Sequence, residues 1–227
     1  MKSSRVICRI LFIVLPALLL FSCGQNKSNK KENSGGQGFD IGANQSGDDE
    51  ITCWGIGPVE LDNDMQSLAE KVGKENLSQD SLFAEGMFEG FVTTVWKNSP
   101  REIIVHWKEK KEPFQNIEFL EIRQASSPYH FLNGVKIGSK ASEITRLNGG
   151  TPFLLYGFGW DNGGTFVSFN KGKLAGDMPC FGGVFALPDN VDAKDAEGIM
   201  GDMEIKSTVP ALQKYDARLV ALRVKNI

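Results

Sequence analysis

Two stretches of the chain share one pattern: Gly57-Pro58-Val59-Glu60-Leu61 and Asn133-Gly134-Val135-Lys136-Ile137. An offset of 76 residues aligns the two valines and the aliphatic residue two positions after each of them. The same offset carries Leu68 onto Ile144. A fixed offset of this kind indicates an internal repeat, although a match this short also arises by chance.

Each stretch is followed by the pattern of a short amphipathic helix. In the first, apolar residues recur at helical spacing over 65–72, and Asn63 is the predicted N-cap. In the second, the apolar positions fall within 141–147, and Ser139 is the predicted N-cap. Helices this short need a surface on which to dock, so the pattern places each helix against a sheet.

Strand patterns rich in β-branched and aromatic residues follow each helix. They cover residues 91–96, 102–107, 117–123, 165–170, 181–187 and 218–224. A further helix is predicted within 207–215, where Pro210 fits the first turn. A helix followed by a run of strands indicates an α+β fold with antiparallel sheet. The prediction is two helix-plus-antiparallel-sheet repeats, 51–128 and 129–227, which can join into one continuous sheet.

The second repeat carries a family resemblance. Gly134-Val135-Lys136-Ile137-Gly138 with the helix start Ser142-Glu143-Ile144 resembles the outer-membrane-assembly lipoproteins of the SmpA/OmlA type. Two such units in tandem resemble β-lactamase inhibitor protein. The resemblance implies a protein that binds other proteins and has no enzymatic activity. The first repeat departs from the pattern, because Asp62 stands where the glycine is expected.

The N-terminus has the features of an exported lipoprotein. Lys2 and Arg5 precede an apolar run over 10–21, which is shorter than the ~20 residues that a permanent transmembrane helix needs and typical of a signal peptide. The run ends Leu20-Phe21-Ser22-Cys23, which resembles a lipobox. We therefore expect residues 1–22 to be removed and Cys23 to be lipidated. The alternative is a plain N-terminal anchor with an incidental cysteine.

The next segment, residues 23–50, is rich in Gly, Asn, Ser, Gln and Lys. It has too few apolar residues to offset chain entropy, so it is predicted to be a disordered tether. Its lipid would hold the protein in the cell envelope. No aspartate follows Cys23 to suggest retention at the inner membrane, so the outer membrane is the predicted location, with the side it faces left open.

The composition argues against nucleic acid as a partner and leaves open whether two cysteines form a disulfide. The formal charge is −3, and loss of Lys2, Arg5 and Arg9 with the leader would make it −6. An acidic chain lacks the electrostatic footprint of a nucleic-acid-binding protein. Of the four cysteines, Cys8 would leave with the leader and Cys23 would be lipidated, which leaves Cys53 and Cys180. In an oxidising compartment they are either a disulfide or two free thiols.

The titratable residues do not form a recognisable catalytic or metal centre. The mature chain contains only His106 and His130, and neither has further ligands at the spacing of a zinc site. His106 is predicted to lie on the solvent side of a strand. No cofactor is expected: Gly157 to Gly164 superficially suggests a dinucleotide loop, but its spacing is wrong and a strand follows it.

That glycine-rich loop is nevertheless the most unusual stretch of the chain. If it is extended, Phe158 and Trp160 point to one face and Asp161 to the other. One interpretation is a hairpin whose aromatic rings pack on the second helix. The other is a binding surface with Trp160 as its anchor.

The predicted function is a lipid-anchored, non-enzymatic envelope module that binds another protein. The alternative is an envelope enzyme or small-ligand binder that uses this loop.

The lipoprotein hypothesis makes a direct prediction. Cys23→Ala should abolish acylation and signal cleavage, since the thiol is the acyl acceptor, whereas Cys8→Ala, within the leader, should leave both intact. Labelling of cells with palmitate measures the first effect and the size of the mature chain the second. Label retained by the Cys23→Ala protein would contradict lipidation at this cysteine.

Overall fold

The structure is a computed structural model that describes residues 47–84 and 86–227. In these residues the strands are β1 (Glu50–Thr52), β2 (Gly55–Ile56), β3 (Val59–Glu60), β4 (Leu77–Ala84), β5 (Met87–Val95), β6 (Ile103–Trp107), β7 (Ile117–Ile122), β8 (His130–Phe131), β9 (Leu154–Tyr156), β10 (Phe166–Ser168), β11 (Phe181–Ala186), β12 (Glu204–Lys206) and β13 (Arg218–Lys225). The α-helices are α1 (Met65–Val72), α2 (Ala141–Leu147), α3 (Leu174–Asp177), α4 (Ala193–Ala196) and α5 (Pro210–Tyr215).

The predicted α+β fold of two helix-plus-sheet repeats is wrong. The described residues form 13 strands in three sheets and only five short helices. Helices α1 and α2 do occupy the two predicted positions. The strands after α1 form an uninterrupted meander, β4 to β7, whereas those after α2 are interrupted by three short helices. Two similar helix starts were therefore followed by different architectures, and the protein is mainly β.

Six strands form the large sheet, in the order β11-β13-β7-β6-β5-β4, with every neighbouring pair antiparallel. The C-terminal strand β13 lies inside this sheet, between β7 and β11. It therefore joins the meander of the first half of the chain to a strand of the second half. Alternation along β6 and β7 turns Ile103, Val105, Leu120 and Ile122 into the core.

Two small sheets accompany the large one, and their strands alternate with its strands along the chain. The first has the order β3-β2-β1-β8, in which β1 and β8 are parallel. The second has the order β10-β9-β12. A bridge between Thr165 and Val184, with the Phe185 N–H donating to the Gly164 carbonyl at 2.8 Å, places the start of β10 against the outer edge of β11. That edge of the large sheet is thus partly covered.

The predicted N-caps of α1 and α2 are each off by one residue. Asp64 caps α1, and its side chain accepts from the Ser67 N–H at 2.7 Å. The Asn63 side chain instead accepts from the Glu60 N–H at 3.0 Å, so it braces the turn before the helix. Ser139 does the same before α2, where its hydroxyl accepts from the Lys136 N–H at 3.1 Å.

A disulfide joins Cys53 to Cys180, whose Cα atoms lie 5.3 Å apart. It connects the turn between β1 and β2 to the residue before β11 and closes a sequence separation of 127 residues. A cross-link between such distant residues restricts the unfolded chain. The disulfide therefore ties the first small sheet to the large one.

The leader 1–22, the lipidation site Cys23 and most of the predicted tether 23–50 lie outside the described residues. The end of that tether is folded, because Glu50 is the first residue of β1 and the Asp49 carboxylate lies 2.6 Å from the Arg101 guanidinium. Within the described part of the chain, no helix is long and apolar enough to cross a membrane.

Candidate functional site

The hairpin of β4 and β5 exposes three large apolar side chains close together. Phe83 is 60% exposed, Met87 62% and Phe88 45%. All three lie at the end of the hairpin away from the loop to β6, next to a register shift between Leu82 and Phe83. Single exposed apolar residues are common on proteins, but a cluster of them marks an interaction surface.

Phe83 and Phe88 continue a row of aromatic rings that begins in the core. Ring centroids are 5.5 Å apart for Trp107–Phe114, 6.4 Å for Phe114–Phe91, 5.1 Å for Phe91–Phe88 and 5.8 Å for Phe88–Phe83. We call these five residues the aromatic ladder. Trp107 and Phe114 are buried and Phe91 is half-buried. The ladder therefore fixes the exposed rings of Phe88 and Phe83 to a rigid interior.

Two clefts border the ladder. One, of about 570 Å³, is lined by Phe88, Phe91 and the loop from Glu109 to Pro113. The other, of about 840 Å³, lies between α1 and β4, with Met65, Ala69, Leu77 and Thr93 among its lining residues. Both have mainly apolar walls, so both suit apolar side chains of a bound molecule.

The loop after β6, which separates the two clefts, is held by one carboxylate. Glu109 accepts from the Asn116 side-chain amide at 2.7 Å and from the backbone N–H groups of Gln115 and Asn116, each at 3.2 Å. These hydrogen bonds, chiefly that of the Asn116 side chain, lower the pKa of Glu109 below its usual value. Glu109 thus stays ionised near neutral pH and keeps the loop in place beside the ladder.

The structure separates the residues that the sequence placed together in the glycine-rich loop. Phe158 is buried, whereas Trp160 is 66% exposed and Asp161 is also exposed. The chain turns here: Gly159 has φ +91°, and the Gly163 N–H donates to the Trp160 carbonyl at 2.7 Å. Alternation holds only in extended chain, so the prediction of a shared face is wrong, as is the packing of Trp160 on α2.

His106 was predicted on the solvent side of its strand, and that prediction is also wrong. The side chain is buried and stacks on Phe119 with ring centroids 4.0 Å apart. Its Nε2 lies 3.8 Å from a carboxylate oxygen of Glu121, beyond hydrogen-bond distance. The outer face of the large sheet is therefore packed by its own side chains at this point.

Glu121 lies on that face with its charged side chain fully buried, and the sequence pattern did not single it out. Its carboxylate pairs with the guanidinium groups of Arg123 and Arg223. Burial raises the pKa of Glu121, but His106, Arg223 and Arg123 together outweigh burial and lower the pKa to about 2. A carboxylate held by two guanidinium groups is a structural ion cluster, because both of its oxygens already have partners.

Within the described residues, no group of three His, Cys, Asp or Glu side chains is arranged to hold a metal ion.

The sequence pattern also did not indicate the outer part of the aromatic ladder. It predicts a strand that starts at residue 91, whereas β5 begins at Met87, and it predicts no strand over 77–84. The available signal was the density of large apolar residues in Leu82-Phe83 and Met87-Phe88.

No protein-family model matches the chain, and no curated protein matches it. Among solved structures, the chain is similar to the crystal structure of the uncharacterized protein yfeY from Escherichia coli. The two share 12% sequence identity with a TM-score of 0.43, over 78% of this chain and 99% of that one.

The contrast between Phe158 and Trp160 predicts different effects on stability. Phe158→Ala should lower the free energy of unfolding by about 3–5 kcal/mol, as is usual for a buried large aromatic residue. Trp160→Ala should change it by no more than about 0.5 kcal/mol, because its ring is mostly in solvent. Urea denaturation of both variants measures these changes. A loss of several kcal/mol for Trp160→Ala would show that its ring is packed.

Proposed function

We propose that this protein is a lipid-anchored, non-enzymatic module of the cell envelope that binds another protein through its aromatic ladder. The observation that carries this proposal is the exposure of Phe83, Met87 and Phe88 at the end of a hairpin whose ring-to-ring contacts lead into the core. The lipobox-like sequence ending at Cys23 supports the anchoring half of the proposal and, with it, an outer-membrane location.

The energetics favour a protein as the bound molecule. Burying a large apolar side chain is worth roughly 1.5–3 kcal/mol, so covering three of them supplies a substantial part of a protein–protein affinity. Rings held in one conformation lose little entropy on binding. The two clefts beside the ladder offer places for the partner's own side chains. The resemblance of residues 134–144 to SmpA/OmlA-type lipoproteins also supports a protein partner.

The alternative function, an enzyme or ligand binder that uses the Gly157–Gly164 loop, has weaker support. Trp160 and Asp161 point into solvent, and neither of the two clefts beside the ladder is lined by this loop. Trp160 is nonetheless an exposed aromatic residue comparable to Phe83 in accessibility. It therefore makes a matched control for the ladder.

Site-specific photo-crosslinking in native membranes tests the proposal. A photoreactive amino acid at position 83 or 88 should give a discrete protein adduct, and the same residue at position 160 should not. Phe88→Ser should reduce the adduct formed at position 83 by about tenfold or more, since it removes a central ring of the surface. Trp160→Ser should leave that adduct unchanged.

Three outcomes would contradict the proposal. An adduct formed only at position 160 would transfer the function to the glycine-rich loop. Adducts at positions 83 and 88 that contain only lipid would assign the ladder to the membrane. An adduct at position 83 that is equally strong in Phe88→Ser protein would show that the ladder does not determine binding. Thermal melting of each variant verifies that the fold is retained, as expected for partly exposed positions.

A further inference from the structure

Among the described residues, the outer edge of β4 ends the large sheet without a partner strand. In the described chain β4 pairs only with β5, and it is the last strand in the sheet order. The opposite edge, β11, is covered in part by residues at the start of β10. The outer edge of β4 is thus the long open edge of this sheet. It lies directly beside the aromatic ladder.

The register shows which backbone groups face outward. The Trp96 N–H donates to the Asn76 carbonyl at 2.9 Å. Residues 76 and 96 are therefore a hydrogen-bonded pair, directly before the first paired residues of β4 and β5, Leu77 and Val95. Hydrogen-bonded pairs alternate with non-bonded ones in antiparallel sheets. Ser78 and Asp80 therefore direct their N–H and C=O groups toward β5, while Gln79 and Ser81 direct theirs away from the sheet.

β4 lacks the usual protection of an exposed edge. Natural edge strands carry lysines or prolines, or they are very short. β4 has eight residues, Leu-Ser-Gln-Asp-Ser-Leu-Phe-Ala, with neither lysine nor proline. Its one charged residue, Asp80, is partly compensated by the Lys97 ammonium at 2.5 Å. The register shift near Leu82 affects only the end of the strand. Such an edge is a template for another strand.

We propose that β4 binds an extended segment of a partner protein, which adds a strand to the large sheet. The proposal rests on the proposed function, because it assumes that the bound molecule is a protein. The outward N–H and C=O groups of Gln79 and Ser81 match the repeat of another polypeptide backbone. Alternate side chains of the added strand lie on one face, where they enter the apolar cleft between α1 and β4.

A second copy of this chain fits the edge less well than a different polypeptide. The registers that match Ser81 with Leu77 or Gln79 with Phe83 are weakened, because the Leu77 N–H already donates to the Lys74 carbonyl and Phe83 lies beyond the register shift. The antiparallel β4–β4 register that matches Gln79 with Ser81 sets the two Asp80 residues directly opposite each other. Like charges in opposed positions destabilise a strand pair. The edge therefore selects a segment with an uncharged or basic residue opposite Asp80 and apolar residues at alternate positions.

Proline substitution tests this pairing with little disturbance of the hairpin. Ser81→Pro removes an outward N–H and keeps every hydrogen bond to β5, since proline is tolerated on an edge strand where its N–H would face solvent. Ser81→Ala is the matched control that retains the N–H. The probe is the strongest-binding peptide selected on the full chain from a phage-displayed library of short random peptides.

The proposal predicts that the selected peptide has apolar residues at alternate positions. It should bind the unmodified and Ser81→Ala proteins equally and the Ser81→Pro protein about tenfold or more weakly. In the unmodified chain, the peptide should slow hydrogen exchange at the N–H groups of Gln79 and Ser81. This hydrogen-exchange measurement tests strand addition even if melting shows that the Ser81→Pro protein is unfolded, because it uses the unmodified chain.

Four results would overturn strand addition. Failure to select any peptide would do so, and together with missing crosslinks at 83 and 88 it would remove the proposed function as well. A peptide that is weakened by Phe88→Ser but leaves Gln79 and Ser81 exchange unchanged would refute strand addition and keep the proposed function. Sedimentation that shows a dimer dissociated by Ser81→Pro would assign the edge to a second copy. Protection of the two amides by anionic vesicles alone would assign it to lipid.

Discussion

The position of β13 determines the rest of the architecture. This C-terminal strand pairs with β7 on one side and β11 on the other, so the large sheet is continuous only when the last residues of the chain are in place. Its Arg223 also pairs with the buried Glu121 of β7 across that junction. A meander from the first half and a strand from the second half are thereby held in one sheet with one core.

A sheet assembled in this way has two unequal edges. At one end of the sheet, β11 pairs with β13 on its inner side. On its outer side, a bridge from Val184 to Thr165, just before β10, covers part of the edge. The meander ends at β4, and nothing in the described chain pairs with its outer side. The ladder and both clefts lie at that open end. The apolar surface and the unpaired backbone thus occur at one location, which is why a polypeptide partner accounts for both.

Local patterns predicted local structure well. The alternating segments at 102–107, 117–123 and 218–224 are strands, and the stripes at 65–72 and 141–147 are helices. The pairing of β13 with β7 and β11 has no local signature, so the repeat hypothesis misassigned the architecture. At the candidate site, the sequence drew attention to Trp160, because glycines surrounded it. It overlooked Phe83 and Phe88, whose significance depends on contacts with Phe91 and Phe114 that only the folded hairpin brings together.

Residue-resolved hydrogen exchange on the free, full-length chain tests the open edge most directly. The account predicts that the amide hydrogens of Ser78 and Asp80 exchange slowly, because they are bonded to β5, while those of Gln79 and Ser81 exchange at rates close to those of an unfolded chain. Strong protection of all four amides in the free protein would show that the outer edge of β4 is already occupied and would contradict the account.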